Sequence, residues 1–179
     1  MVSWGTALEH AVPVDARIPA RTSWSEGGRE RAESALSYMG LLADTPLLGQ
    51  RVDAAFIGSC TNGRLEDLRA AADVLAGRQV AAHVRALCVP ASRAVKRAAE
   101  AEGLDRVFRA AGFEWREPGC SLCFFAGGES FPAGARVISS TNRNFEGRQG
   151  PGVRTHVASP ATVAASAVMG AIADVRSLA

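Results

Sequence analysis

The feature that most restricts the fold is the run Val52-Asp53-Ala54-Ala55-Phe56-Ile57-Gly58, which passes directly into the polar segment Ser59-Cys60-Thr61-Asn62. A short, nearly continuous apolar run reads as a strand covered on both faces, the situation of a parallel sheet. Beyond the turn, Leu65, Leu68, Ala72 and Leu75 recur at helical spacing, Gly77 ends the pattern, and Thr61 or Asn62 is placed to cap its start. Strand, polar turn and helix in that order make half of a βαβ unit.

The pattern recurs along the chain. Residues 84–89 read as a second strand, followed by Ser92 as the cap of a helix that carries Val95, Ala98 and Ala99 before Gly103. Leu104, Val107, Phe108 and Ala111 mark a further helix closed by Gly112, and Phe113-Glu114-Trp115 a brief strand. Arg136-Val137-Ile138-Ser139-Ser140 is the next strand, and Ser159-Pro160 opens an alanine-rich helix that runs to about Asp174. This alternation predicts an α/β fold: a mostly parallel open sheet with helices on both faces, in three layers. Residues 1–50 are interrupted by Pro13, Pro19, Pro46 and the Gly27-Gly28 pair, around one helix over residues 29–39 that Gly40 stops. They are expected to wrap the α/β domain of residues 51–179.

A length of 179 residues suits one core. The formal charge of +2 and the aromatic content of 6% supply neither the basic surface nor the stacking platforms of a nucleic-acid-binding protein. No apolar stretch reaches about 18 residues without a charge or breaker, and Met1-Val2-Ser3-Trp4-Gly5-Thr6 lacks the basic start of a signal peptide. The expected setting is therefore the cytoplasm, with no membrane or nucleic-acid partner. In that compartment thiols serve metals or redox chemistry more often than disulfides.

Of the four cysteines, Cys88 lies inside a strand and reads as a small buried hydrophobe. The other three follow strands: Cys60 directly, and Cys120 and Cys123 in a loop that Pro118-Gly119 opens and Gly127-Gly128 and Pro132 keep irregular. Open parallel sheets bind ligands outside the carboxyl ends of their strands, so Cys60, Cys120 and Cys123 are candidates for one metal site. A Cys-x-x-Cys turn by itself also suits a redox dithiol or a zinc knuckle, and His156 is a conceivable fourth zinc ligand, although it reads better as an ordinary strand residue. Three thiolates leave a position open where a structural zinc site would close with four ligands. Cys60 also sits at the mouth of a helix, where backbone N–H groups favour negative charge, as an iron–sulfur cluster needs.

A second constellation follows the strand that ends at Ser140. Asn142, Arg143 and Arg148, with Asn144 and Gln149 between and beside them, are planar amide and guanidinium forks suited to bidentate carboxylate binding. An open iron beside carboxylate-binding arginines suggests Lewis-acid activation of a hydroxy acid.

At these residues the sequence resembles the aconitase superfamily, most closely the large subunits of 3-isopropylmalate dehydratases. The resemblance rests on Phe56-Ile57-Gly58-Ser59-Cys60-Thr61-Asn62, Leu65-Glu66-Asp67-Leu68, Gly112-Phe113-Glu114-Trp115, Pro118-Gly119-Cys120-Ser121-Leu122-Cys123 and Asn142-Arg143-Asn144-Phe145-Glu146-Gly147-Arg148-Gln149-Gly150, in that order. It implies that Cys60, Cys120 and Cys123 ligate a 4Fe-4S cluster whose fourth iron binds substrate, and that Asn142, Arg143 and Arg148 hold substrate carboxylates. The implied reaction removes water from a 2-hydroxy di- or tricarboxylic acid and re-adds it at the neighbouring carbon. In the family this segment is the third domain of the large subunit. The implied partners are the remaining large-subunit domains, with histidine and acidic groups, and a small swivelling subunit that carries a serine base. Gly63, where a serine is usual, Ala91-Ser92-Arg93-Ala94 and Phe124-Phe125-Ala126-Gly127-Gly128 depart from the family pattern. A non-catalytic iron–sulfur module, or an inactive remnant, is the alternative that shares the same cysteines.

Overall fold

The computed structural model describes residues 1–125 and 129–178; Ala126, Gly127 and Gly128, which the sequence reading assigns to the cysteine loop, lie outside them. The chain opens with the antiparallel pair β1 (Val2–Ser3) and β2 (Ala11–Val12), then helix α1 (Glu26–Met39). Five strands follow: β3 (Ala54–Gly58), β4 (Arg85–Val89), β5 (Phe113–Trp115), β6 (Arg136–Ser139) and β7 (Arg154–Val157). They form one all-parallel sheet in the order β5, β4, β3, β6, β7. Between and after them lie α2 (Ser59–Asn62), α3 (Leu65–Leu75), α4 (Arg93–Ala101), α5 (Leu104–Ala111) and α6 (Pro160–Met169). The fold is α/β with an open parallel sheet, as the alternation predicts.

The strand order determines which segments cover which face. From β3 to β5 the sheet grows in one direction, and right-handed crossovers put α3, α4 and α5 on one side. Alternate strand residues point there: Ala55, Ile57, Ala86, Cys88 and Ile138 pack with Leu68 and Leu75 of α3, Phe108 of α5 and Val163 of α6. After β5 the chain returns past β3 to lay down β6 and β7. The same handedness now puts the connections on the opposite face, where Ala54, Phe56, Leu87, Val89 and Val137 share a second cluster with Leu122, Cys123, Phe131 and Val153. Among the described residues, that layer consists of a short helical turn, Ser121–Cys123, and irregular backbone.

Several local signals act as read. Ser92 Oγ accepts from the Val95 amide at 3.2 Å at the start of α4, Gly112 closes α5 in the left-handed conformation, and Gly40 does so for α1. Three readings are corrected. Gly27 and Gly28 do not interrupt a helix but lie in the first turn of α1, which starts at Glu26; burial of Ala32, Ala35, Leu36 and Met39 outweighs the glycine penalty. Helix α6 stops at Met169 rather than near Asp174, because Gly170 turns left-handed at φ 70°. Thr61 and Asn62 do not cap α3; its first turn is held by Asp67 Oδ2, which accepts from the Arg64 amide at 3.1 Å.

The amino-terminal segment is held at the β7 edge by a buried polar cluster. His156 is fully buried; its Nδ1–H donates to the Ser3 carbonyl at 2.7 Å, which leaves Nε2 to accept from Arg136 Nη1 at 2.9 Å. The Arg136 guanidinium also donates to the carbonyls of Met39 and Gly40, the negative end of α1. Both nitrogens of His156 are thus committed, on the sheet face that carries Ile138, which removes it as a zinc ligand for the cysteines. Burial, and after it the Arg136 charge, push the His156 pKa down to about 3. As pH falls below the ordinary histidine value of 6.5, the unfolded chain therefore takes up a proton that the folded chain refuses, and stability falls towards the folded pKa of about 3. The expected slope is up to ~1.4 kcal/mol per pH unit, read by urea unfolding in the upper half of that window, above the carboxylate range. His156→Gln should flatten it, and an unchanged slope in that variant would contradict the assignment.

Candidate functional site

The direction of sheet growth reverses between β3 and β6, so the connections leaving their carboxyl ends diverge to opposite faces, the position where open parallel sheets bind ligands. Both connections carry residues of interest. Ser140, at the end of β6, ties them: its Oγ accepts from the Gly58 amide at 2.9 Å, and its carbonyl accepts from Asn62 Nδ2.

On the β3 side, Gly58 has φ 115° and ψ −135°, a conformation reserved for glycine. A Cβ there would lie 2.0 Å from the Val89 carbonyl oxygen, so only glycine lets the turn approach the end of β4. Gly63, at the far end of the turn, is similarly tight; its Cβ would lie 2.7 Å from the same oxygen. Ser59 is left-handed at φ 61°, a conformation that costs an L-residue about 1–2 kcal/mol. This geometry leaves Cys60 exposed while Ser59 Oγ and Thr61 Oγ1, on either side of it, are buried with no hydrogen-bond partner.

On the opposite face, the Cys120 carbonyl accepts from the Cys123 amide at 2.9 Å and closes a tight turn through Ser121, which is left-handed at φ 44°. Cys120 is exposed and Cys123 is buried. Arg148 joins this turn to the 142–149 segment. Its Nε donates to the Cys123 carbonyl at 2.6 Å, and its Nη2 to Cys123 Sγ at 3.2 Å and Asn142 Oδ1 at 3.4 Å. The guanidinium carbon lies 5.7 Å and 5.3 Å from the ring centroids of Phe124 and Phe145, two exposed aromatics that flank it. Arg143 is exposed, with one bond to its neighbour's carbonyl, from Nη1 to Asn142 O at 3.2 Å.

The structure thus brings together Asn142, Arg148 and Cys123, and leaves Arg143 facing outward. Asn144 and Gln149 serve elsewhere than the sequence suggests. Asn144 is buried and donates to Ser3 Oγ at 3.0 Å and to the Gly5 carbonyl. Gln149 donates to the Leu122 carbonyl at 2.8 Å and accepts from Thr155 Oγ1 at 2.9 Å. Cys88 is fully buried on the helix-covered face, and burial pushes its thiol pKa up, as befits a core residue. Among the described residues, no three Cys, His, Asp or Glu side chains are gathered closely enough to hold a metal ion. Cys60, Cys120 and Cys123 are a soft donor set on two turns rather than a preformed cage. The donor chemistry, the two unpartnered hydroxyls beside Cys60 and the guanidinium on Cys123 Sγ all suit an anionic group with sulfur ligands. Sequence reading misses Ser140, whose role appears only once β3 and β6 are known to be neighbours, and the rings around Arg148.

A protein-family model described as the aconitase family (aconitate hydratase) matches residues 1–170. The chain belongs to the aconitase family. It is 65% identical over 177 residues to the 3-isopropylmalate dehydratase large subunit of Cupriavidus necator, covering 98% of this chain and 66% of that protein. It is 58% identical over 178 residues to large subunit 1 of the same enzyme from Bradyrhizobium diazoefficiens, covering 99% of this chain and 37% of the relative. With the large subunit of Roseiflexus castenholzii the identity is 52% over 177 residues, covering 98% of this chain and 38% of the relative. The chain therefore spans between about a third and two thirds of the length of these curated relatives. The family membership read from the motifs is borne out.

The geometry of the β3 turn makes a direct prediction. Gly58→Ala must displace the end of β4 and adopt a glycine-only conformation, so it should cost about 3 kcal/mol in chemical denaturation. A loss below about 1 kcal/mol would show that the turn is not held by this close approach.

Proposed function

We propose that the chain is the cluster-bearing part of a hydro-lyase of the 3-isopropylmalate dehydratase type, acting on a 2-hydroxy di- or tricarboxylic acid by dehydration and rehydration. The observation that carries this reading is Arg148, whose one guanidinium touches both Cys123 Sγ and Asn142 Oδ1 and so couples a thiol donor to a carboxylate-binding segment. Family membership and the names of the relatives support it.

In this reading Cys60, Cys120 and Cys123 hold a 4Fe-4S cluster, which supplies Lewis acidity towards a substrate hydroxyl and carboxylate. The chain's own groups orient the substrate. Arg148 is fixed by the Cys123 carbonyl and two aromatic rings, and presents a rigid positive edge beside Asn142. Arg143, exposed and lightly bonded, is free to swing onto a carboxylate. The remaining large-subunit domains and a small subunit complete the site and provide the proton-transferring groups. Four cysteines with no disulfide among them suit a reducing compartment such as the cytoplasm, and no helix among the described residues is long and apolar enough to cross a membrane.

Anaerobic reconstitution with iron and sulfide should give the chain iron–sulfur absorption and, after reduction, an EPR signal. Cys60→Ser, Cys120→Ser and Cys123→Ser should each abolish them. Absence of any cluster in the unaltered chain would overturn the reading. In the enzyme assembled with its partner chains, Arg143→Lys should keep the cluster and weaken substrate binding about tenfold, the worth of one charge-assisted hydrogen bond. Loss of the cluster in that variant would contradict this division of roles.

A further inference from the structure

Behind the cysteine turn lies a charged lattice that the proposed reaction does not use. Arg116 follows β5 directly, and its amide donates to the Cys88 carbonyl at 3.0 Å, which registers it on the sheet. Its guanidinium takes Glu114 from Nε at 3.0 Å and Nη2 at 2.7 Å. It takes Glu129 as a fork, from Nη1 at 2.8 Å and Nη2 at 2.9 Å. Nη1 also donates to Ser121 Oγ at 3.2 Å. Arg85 closes the lattice, reaching Glu114 at 2.8 Å and Glu129 at 3.2 Å.

A guanidinium has five N–H donors, and these contacts engage all three nitrogens of Arg116, so it has no donor left for a substrate carboxylate. That separates Arg116 from Arg143 and Arg148. The contact with Ser121 is the informative one. Ser121 is the residue held left-handed between Cys120 and Cys123, and a non-glycine residue persists in that conformation only where its surroundings over-determine it. The turn has one internal hydrogen bond, from the Cys123 amide to the Cys120 carbonyl. Arg116 adds an external restraint anchored in the sheet.

We propose that Arg116 is a positioning residue: locked by Glu114 and Glu129, it holds Ser121 in its left-handed conformation and so sets the placement of the Cys120 and Cys123 thiols. The lattice is partly exposed, so any one of its ion pairs counts for little alone; the effect comes from planar forks that share one guanidinium. Pairing with Glu129, and then with Glu114, raises the Arg116 pKa.

The inference deepens the proposed cluster site and rests on that reading for its purpose, but its test does not need a cluster. In the apo chain, the alkylation rate of Cys123 by a small maleimide, resolved by mass spectrometry, reports opening of the turn. Arg116→Gln should raise that rate about tenfold, the worth of one charge-assisted hydrogen bond, while Cys60 on the other turn reacts at its original rate. Ser121→Ala, which removes only the acceptor, should raise it in the same direction, and Arg116→Lys should fall between Gln and the original. After anaerobic reconstitution, Arg116→Gln should also alter the EPR line shape. Unchanged Cys123 reactivity in Arg116→Gln and Ser121→Ala variants that keep their thermal midpoints would overturn the proposal, as would an equal rise at Cys60. If Arg116→Gln fails to fold, the Ser121→Ala and Arg116→Lys rates decide the matter. Failure of the original chain to take up a cluster would count against the cluster reading alone.

Discussion

The hydrogen bond from the Gly58 amide to the Ser140 hydroxyl joins the ends of the two strands between which the chain changes direction across the sheet. Two of the three segments at the candidate site start from that junction. On one side it fixes the turn that exposes Cys60; on the other it fixes the start of the segment that carries Asn142 and Arg148. The junction depends in turn on a glycine that tolerates φ 115° and has no side chain to strike β4. Ser140 commits both its hydroxyl and its carbonyl to the β3 turn, so the two connections cannot drift apart without giving up buried polar contacts.

The two faces of the sheet divide structure from chemistry. Helices cover one face, and away from their ends their backbone groups are satisfied within each helix. The other is covered by connections with little regular structure, whose backbone and side-chain polar groups must find partners individually. Arg148 on the Cys123 carbonyl, Gln149 on the Leu122 carbonyl and Phe125 on the Arg148 carbonyl are such partners. The same groups that satisfy the loops therefore also determine where the thiols and the guanidinium stand.

What the sequence reveals follows the range of the interactions involved. Helix α4 with its Ser92 cap, α5 closed by Gly112 and the strand at Phe113–Trp115 rest on spacing and on neighbours a few residues away, and they are readable. The candidate site is readable in part for the same reason: a glycine-flanked cysteine after an apolar run marks the end of a buried strand. Asn144 and Gln149 are not readable in this way. As side chains they differ little from Asn142, and only the arrival of Ser3, 141 residues away in sequence, makes Asn144 a buried structural donor. Arg116 is hidden likewise, since Glu129 lies 13 residues further along the same connection and Arg85 comes from β4. The end of α6 is not readable from spacing, because its alanine-rich pattern carries on while one left-handed glycine stops the backbone.

Helix α6 buries Thr162, Val163, Ala164, Ala165, Ser166 and Ala167 in succession, so nearly its whole circumference is enclosed by small side chains. Small and β-branched side chains have few rotamers to lose, and alanine has none, so this helix is immobilised with little loss of side-chain entropy. Short side chains also bring its axis close to the sheet and to α3, leaving little slack for sliding. The helical layer thus behaves as a stiff floor. Whatever movement the cysteine and arginine segments make on the far side of the sheet, they make against a base that does not give.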